Sequence, residues 1–336
     1  MKKSILLAYI ALLIAFGLPV LTLERGGAYE EAAPQSTAAP SPLPSPEPAP
    51  EPAQAVSAAA APQTLQLVAA GDSVELDMQS YLYGVVAAEM PASFHPQALK
   101  AQAVAARSYA IYTMQGGKHG QGRLCGDYAC CQAWYSEDEL RRRWGEAFEE
   151  NMAKIRAAVD ETEGEYLCYG GQAVFAAFHS SSPGRTENSG SLWAQLPYLV
   201  SVESPETGED VPGYVSRVAC APLDFRDTLL RARPEADFTG EEGTWIGAIS
   251  RDESGRVESA VLGGLSFEGT ELRSLFALRS TAFSLEYTGG QFVFTVTGYG
   301  HGVGMSQYGA NVMAAQGADY REILAHYYPG TALAGA

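Results

Sequence analysis

Leu82, Val85, Val86 and Glu89 fall at i, i+3, i+4 and i+7 of a helical repeat. One carboxylate therefore sits on the apolar stripe of a predicted helix that ends at Glu89 or Met90, ahead of Pro91. A second helix is predicted from Pro96, a favoured first-turn residue, with alanines at 98, 101, 103, 105, 106 and 110 that admit a close neighbour. Short strands precede the pair at Leu65–Ala69 and Val74–Leu76. Downstream, Glu137–Glu161 reads as one long charged helix with Trp144, Phe148 and Ile155 about its packing stripe. Strands follow at Glu165–Cys168 and Gln172–Phe178 around a Gly170-Gly171 turn. Further strands are expected at Tyr198–Val202, Thr244–Ser250 and Arg256–Leu262, with a hairpin over Thr281–Thr297 turning at Gly289-Gly290. Helices are expected at Phe225–Ala232, Thr270–Leu278, Ser306–Gln316 and Asp319–Tyr328. The pattern predicts an α+β fold, with helices packed beside mostly antiparallel sheet.

The N-terminal pattern is different. Lys2 and Lys3 precede a nearly uninterrupted apolar run, Ile5–Leu23, about the ~20 residues a bilayer crossing needs. No small-x-small cleavage site follows it, so an uncleaved anchor is expected over residues 1–24, with the two lysines keeping the N-terminus inside. Residues 25–63, rich in Pro, Ala, Glu and Ser with PSPLPSPEPAPEP at the centre, read as an extended linker. Residues 64–336 then form the folded domain, on the extracytoplasmic side. With 46% hydrophobic and 10% aromatic residues a packed core is expected, and no solenoid repeat is present. A net charge of −17 and a pI near 4.7 argue against nucleic acid and against adhesion by charge to an anionic surface.

Four stretches carry candidate chemistry. Glu89, on an apolar face and at the negative end of a helix, is expected to hold its proton to higher pH than an ordinary carboxyl, as a general acid must. The alternative is a solvated helix-end glutamate, or one neutralised by Arg107. The loop GGKHGQGRLCGDYACCQAWYS offers His119, Cys125 and Cys131, evenly spaced, as three ligands of a tetrahedral zinc site. A disulfide competes with that reading, although five cysteines (125, 130, 131, 168 and 220) cannot all pair internally. The segment His179–Asn188 is dense in donors and acceptors at a strand end, a plausible sugar-binding edge. It lacks the G-x-S-x-G nucleophile elbow of a serine hydrolase. Gly298–Gly309 has five glycines in twelve positions, allowing close approach to a ligand or to another chain segment, without the lysine of a phosphate-binding loop. Within it His301 is a site candidate, whereas His326 is assigned to packing.

Three of these stretches, in order, resemble the motifs of the stage II sporulation protein D family of peptidoglycan-cleaving proteins. They are Gly84–Tyr109 with its Glu-Met-Pro-Ala-Ser-Phe turn, AFHSSSPGRTENSGSLW at Ala177–Trp193, and GYGHGVGMSQYGANVMAAQG at Gly298–Gly317. The resemblance spans about Leu65 to Thr331. It implies a lytic transglycosylase that cuts between N-acetylmuramic acid and N-acetylglucosamine without water, with Glu89 as catalytic acid and base. Carried over by position, Arg107, Tyr109, His179, Ser180, Ser182, Thr186, Asn188, His301, Ser306 and Gln307 are expected to line the substrate groove. The resemblance also implies a structural zinc in the His and Cys insert, peptide-free glycan strands as substrate, and a cell-wall amidase and engulfment-machinery membrane proteins as partners. The expected location is the sporulation septum. Pro183 stands where the family more often has glycine. Related domains look like non-catalytic amidase enhancers, which is the alternative from another class.

Overall fold

The computed structural model describes residues 64–69, 72–116 and 119–335. The apolar run Ile5–Leu23 and the Pro-rich tract, and with them the expected anchor and linker, lie outside the described residues. Among the described residues no helix is long and apolar enough to cross a membrane.

Strands β1 (Thr64–Ala69) and β2 (Asp72–Asp77) form an antiparallel hairpin, and β3 (Arg123–Cys125) adds to β1 in parallel. The chain turns directly into α1 (Met78–Glu89), because Asp77 caps it by accepting the Ser80 amide at 2.8 Å. That hydrogen bond holds the Asp77 carboxyl below its usual range. Met90 is extended, as a residue before proline prefers to be, and α1 stops at Glu89. Helix α2 (Pro96–Gly116) then runs through the middle of the larger core, buried on nearly every face. Its alanines allow α1 and the later helices to pack closely against it.

The single helix predicted over Glu137–Glu161 is two. Helix α3 (Glu137–Trp144) starts with a Ser136/Glu139 capping box and ends at Gly145, whose φ of 53° a helix interior cannot hold. A 3₁₀ turn leads into α4 (Phe148–Asp160). The strand predicted over Gln172–Phe178 is likewise broken. Strand β4 (Tyr166–Tyr169) pairs with the two-residue β5 (Gln172–Ala173). The amides of Ala176 and Ala177 then bond two residues back, and the chain straightens only at β6 (Phe178–His179). The strand expected at Tyr198–Val202 does not form. There Thr186 Oγ1 accepts the Val202 amide and Asn188 Oδ1 the Ser201 amide, both at 2.9 Å, so side chains occupy the places of a ladder partner.

Residues 225–296 build a second, smaller core. Here β7 (Val215–Cys220), α5 (Pro222–Ala232), β8 (Ile246–Arg251), β9 (Val257–Leu262), β10 (Leu265–Glu268), α6 (Gly269–Leu275), β11 (Phe283–Thr288) and β12 (Gln291–Thr297) follow in turn. They form two antiparallel sheets, ordered β10-β9-β8 and β11-β12-β7. Phe292, Phe294 and Val296 of β12 alternate inward, and Phe292 stacks on Phe225 with 3.9 Å between ring centroids.

The chain then returns to the larger core. Strand β13 (Met305–Ser306) pairs in parallel with β6, helices α7 (Gln307–Ala315) and α8 (Tyr320–Tyr327) pack on α2, and β14 (Ala332–Ala334) closes the sheet beside β4. The architecture is mixed helix and sheet with mostly antiparallel pairing. The parallel ladders β1–β3 and β6–β13 are the exceptions among the named strands.

Candidate functional site

Glu89 lies in the last turn of α1, half-buried, with its Oε1 accepting the Ala133 amide at 2.7 Å. Burial raises its carboxyl above the ordinary range, and the Ala133 N–H only partly opposes this. Arg107 does not neutralise it. That side chain is 1% exposed and is committed elsewhere, donating to the carbonyls of Glu165 (2.8 Å) and Val159 (3.3 Å) and to Gln79. Arg107 thus ties α1, α2 and the end of α4 to β4, and burial lowers its pKa to about 10. Expected by position to line the substrate groove, Arg107 is instead a core tie, because its guanidinium satisfies carbonyls left over at helix and strand ends.

The segment bearing Ala133 is pinned from beneath. Gln132 donates to Tyr81 Oη (3.3 Å) and to the Ala106 carbonyl (3.2 Å), and the Tyr135 amide bonds the Gly84 carbonyl. Trp134 crosses Gly84 so closely that a Cβ there would lie 2.3 Å from Nε1 and 2.6 Å from the Tyr135 carbonyl. Gly84→Ala is therefore expected to cost ~1–3 kcal/mol by overpacking and to displace the Ala133 amide. Thermal unfolding would register the first effect, and reduced activity in the still-folded variant the second.

The same loop carries the cysteine cluster. One donor atom each from His119, Cys125, Cys130 and Cys131 lies within 4.8 Å of the others, with His119 Nε2 at 3.2 Å from Cys131 Sγ and 3.3 Å from Cys130 Sγ. One imidazole and three thiols make a full tetrahedral donor set for zinc, where the sequence reading had three. Cys130 joins because its amide and that of Cys131 both bond the Asp127 carbonyl, a turn that brings adjacent thiols to one centre. Burial pushes the Cys131 thiol up to about 12, a bias that a bound divalent cation would reverse. These residues fit a closed, structural site. Cys131 stands two positions before the amide that holds Glu89, so the cluster and the carboxyl share one short segment.

The polar residues of His179–Asn188 turn mostly inward. His179 is buried, with Nδ1 facing the Val303 carbonyl (3.2 Å) and Nε2 at 2.6 Å from Ser182 Oγ. Burial, helped by the nearby His301 and Arg256, keeps its pKa well below the usual range. The ring is therefore neutral, Nδ1 donates and Ser182 donates to Nε2. Ser182 is fully buried, which removes it as a nucleophile. Glu206, 2% exposed, accepts from the Ser182 amide (2.6 Å), from Ser204 Oγ (2.6 Å) and from Ser306 Oγ. Ser306 also caps α7, and Thr186 and Asn188 hold the Ser201–Val202 backbone. Gln307 is buried against Gln102. So His179, Ser182, Thr186, Asn188, Ser306 and Gln307, expected to line a groove, are bonded within the fold, and among the expected residues half-buried Ser180, Asn188 and His301 keep partial access.

The Gly-rich loop approaches chain rather than ligand. A Cβ on Gly300 would lie 2.7 Å from His179 Cβ, and one on Gly302 2.5 Å from Arg256 Nη2. His301 Nδ1 accepts the Val303 amide at 3.1 Å, and burial lowers this imidazole to about 4. His326 bonds the Glu203 carbonyl at 2.7 Å, consistent with its assignment to packing. Tyr109, nine-tenths buried, points its hydroxyl at the Cys130 carbonyl (3.5 Å) and leans its ring on Phe175. Through Phe175 it leads to Tyr112 and Trp193, aromatic residues that no polar motif signals.

The segment that carries Glu89, the Ala-rich helix and the cysteine–histidine loop is similar to a known family. The profile of the family described as "Stage II sporulation protein" matches residues 70–169, the segment that holds Glu89 and the cluster. Stage II sporulation protein D of Bacillus amyloliquefaciens is 37% identical over 269 residues, 79% of this chain and 76% of that protein. Its counterpart in Bacillus subtilis (strain 168) is 37% identical over 273 residues, 80% of this chain and 77% of that one. The amidase enhancer of Bacillus subtilis (strain 168) is 30% identical over 302 residues, 75% of this chain but 40% of its own length. The chain belongs to the stage II sporulation protein D family.

Proposed function

We propose that the protein is a peptidoglycan lytic transglycosylase that cleaves the bond between N-acetylmuramic acid and N-acetylglucosamine in peptide-free glycan strands, leaving 1,6-anhydro-muramic acid ends. The observation that carries the reading is Glu89: a half-buried carboxyl, raised by burial, held by one backbone N–H and not paired with Arg107. Protonated Glu89 gives its proton to the glycosidic oxygen as the C1–O bond breaks. The resulting carboxylate, stabilised by the Ala133 N–H, takes the proton from the muramic acid C6 hydroxyl as that oxygen closes on C1. Glu89 ends as it began and no water is consumed. A hydrolase needs a second carboxylate as nucleophile or base, whereas this route needs one carboxyl group. The four-donor cluster, with zinc bound, would hold the loop and supply no activated water.

The enzyme works outside the cytoplasm, tethered by residues 1–24 through the linker 25–63, in wall remodelling at the sporulation septum. The apolar run, its flanking lysines and the family membership support this placement. An amidase that strips peptide stems is the expected partner. Likeness to a protein named amidase enhancer supports the second reading, a non-catalytic stimulator of that amidase. Glycan strands with and without peptide stems, incubated with the protein and analysed by mass spectrometry, discriminate. Anhydro ends support the lyase; no cleavage by folded protein that still accelerates an added amidase replaces it with the enhancer.

A further inference from the structure

A chain of net charge −17 that acts on a glycan bearing lactyl carboxylates cannot hold its substrate by charge, and most polar side chains expected to hold it are spent inside the fold. Aromatic side chains, by contrast, do reach solvent. Tyr112 on α2 is 40% exposed and Trp193, after the His179–Asn188 segment, is 44% exposed, with half-buried Phe175 between them. The rings form one connected row: Tyr112 to Phe175 at 5.6 Å and Phe175 to Trp193 at 5.5 Å between centroids. Single exposed aromatics are ordinary, but a contiguous row marks a binding surface.

The row is rigid and aimed. Phe175 meets Trp193 nearly edge-on, at 86°, and His301 braces Trp193 from another side at 5.1 Å. The Phe175 amide is fixed by the Tyr198 hydroxyl at 3.2 Å. The inner side of Phe175 rests on Tyr109, whose hydroxyl touches the Cys130 carbonyl, and three residues later Ala133 holds Glu89. Tyr109 and the Cys130–Ala133 segment thus connect the row to the carboxyl.

We propose that Tyr112, Phe175 and Trp193 form a stacking surface for the N-acetylated hexose rings of the glycan strand on one side of the bond that Glu89 cleaves. The proposal rests on the glycan-cleaving reading for its ligand. The C–H faces of pyranose rings pack on aromatic faces without needing charge, and the preset rings lose little freedom on binding. Such a surface also accounts for a highly acidic protein gripping an acidic polymer. It favours long strands over short fragments, because each ring covered adds contact.

The test uses the full-length protein as purified. Strand affinity is measured by isothermal titration calorimetry in a Glu89→Gln background, so binding is read without turnover, and KM and kcat are measured in the Glu89 protein. Trp193→Ala and Tyr112→Ala are each expected to weaken binding of long glycan strands about tenfold, the order of one lost aromatic contact. KM rises by a similar factor while kcat moves much less, and short oligosaccharides lose less than long strands. Trp193→Phe recovers most of the loss. Leu223→Ala, which trims a 61% exposed side chain on α5, binds as the parent does. Overturning the proposal takes a Trp193→Ala variant with native melting temperature that binds long strands within twofold of its parent. If the aromatic variants lose binding but the parent protein cleaves nothing, the stacking surface stands and the lyase reading falls.

Discussion

Replacing Glu89 by glutamine is expected to lower glycan cleavage by ~10²–10⁴-fold, the usual contribution of a positioned general acid and base, while the fold stays intact. Glutamine has nearly the shape of glutamate, and its carbonyl can still accept the Ala133 N–H, so the loop has no reason to move. It cannot deliver a proton to a leaving oxygen. The stability effect has a definite sign. Because burial raises Glu89 in the folded state, the native protein is favoured with this group neutral. That contribution is fully present below the unfolded carboxyl pKa and is lost as pH rises through the folded one. Above that window the native protein carries a half-buried charge that Glu89→Gln lacks. The variant should melt at or above the native temperature at pH 8, and the difference should close on acidification. Activity of the native protein should fall on the alkaline side as Glu89 ionises. Melting curves and rates across pH check both; a Gln variant that is markedly destabilised at pH 8 would show that Glu89 is an ordinary structural carboxylate.

Cys131→Ser is expected to have the largest effect on stability. It removes one donor from a four-donor cluster whose atoms lie within 4.8 Å of each other, in a loop that is otherwise short of core. A closed zinc site contributes directly to folding, so a loss of ~3–5 kcal/mol and a fall in melting temperature on the order of 10 °C are expected. Cleavage falls with it, since Gln132 and Ala133 leave the position that holds Glu89. Metal analysis of protein purified without chelator should give one zinc per chain, and none in the variant. Native protein without metal, and a Cys131→Ser variant that melts with it, would leave the cluster as three thiols beside an imidazole.

Glu89 was legible because its burial follows from local periodicity and its helix end from Pro91, both within a dozen residues. Helix boundaries around α1 and α2 were legible for the same reason. Gly145, by contrast, broke a pattern whose charges and apolar spacing favoured one helix, and only its left-handed backbone records the break. In the His179–Asn188 loop, density of donors and acceptors shows what must be satisfied, not by what. Glu206 satisfies much of it from 24 residues beyond Ser182 and looks in sequence like one acid in an acidic loop. Arg107 was misplaced for a related reason, since its partners are backbone carbonyls that no side-chain pattern reports. Cys130 could have been found, because an adjacent cysteine pair beyond a turn is compact enough to give two ligands. Strand β7, half-exposed at a sheet edge and polar at Ser216 and Arg217, carries too little apolar alternation to stand out.

The claim at the centre is that Glu89 cuts glycan with the sugar's own hydroxyl in place of water. The direct measurement is cleavage of purified peptide-free glycan in water labelled with heavy oxygen, with products read by mass spectrometry. Fragments with anhydro ends and no label are predicted from the native protein, and none from Glu89→Gln. Reducing ends carrying one heavy oxygen would contradict it, identifying a hydrolase whose second catalytic group lies elsewhere in the chain.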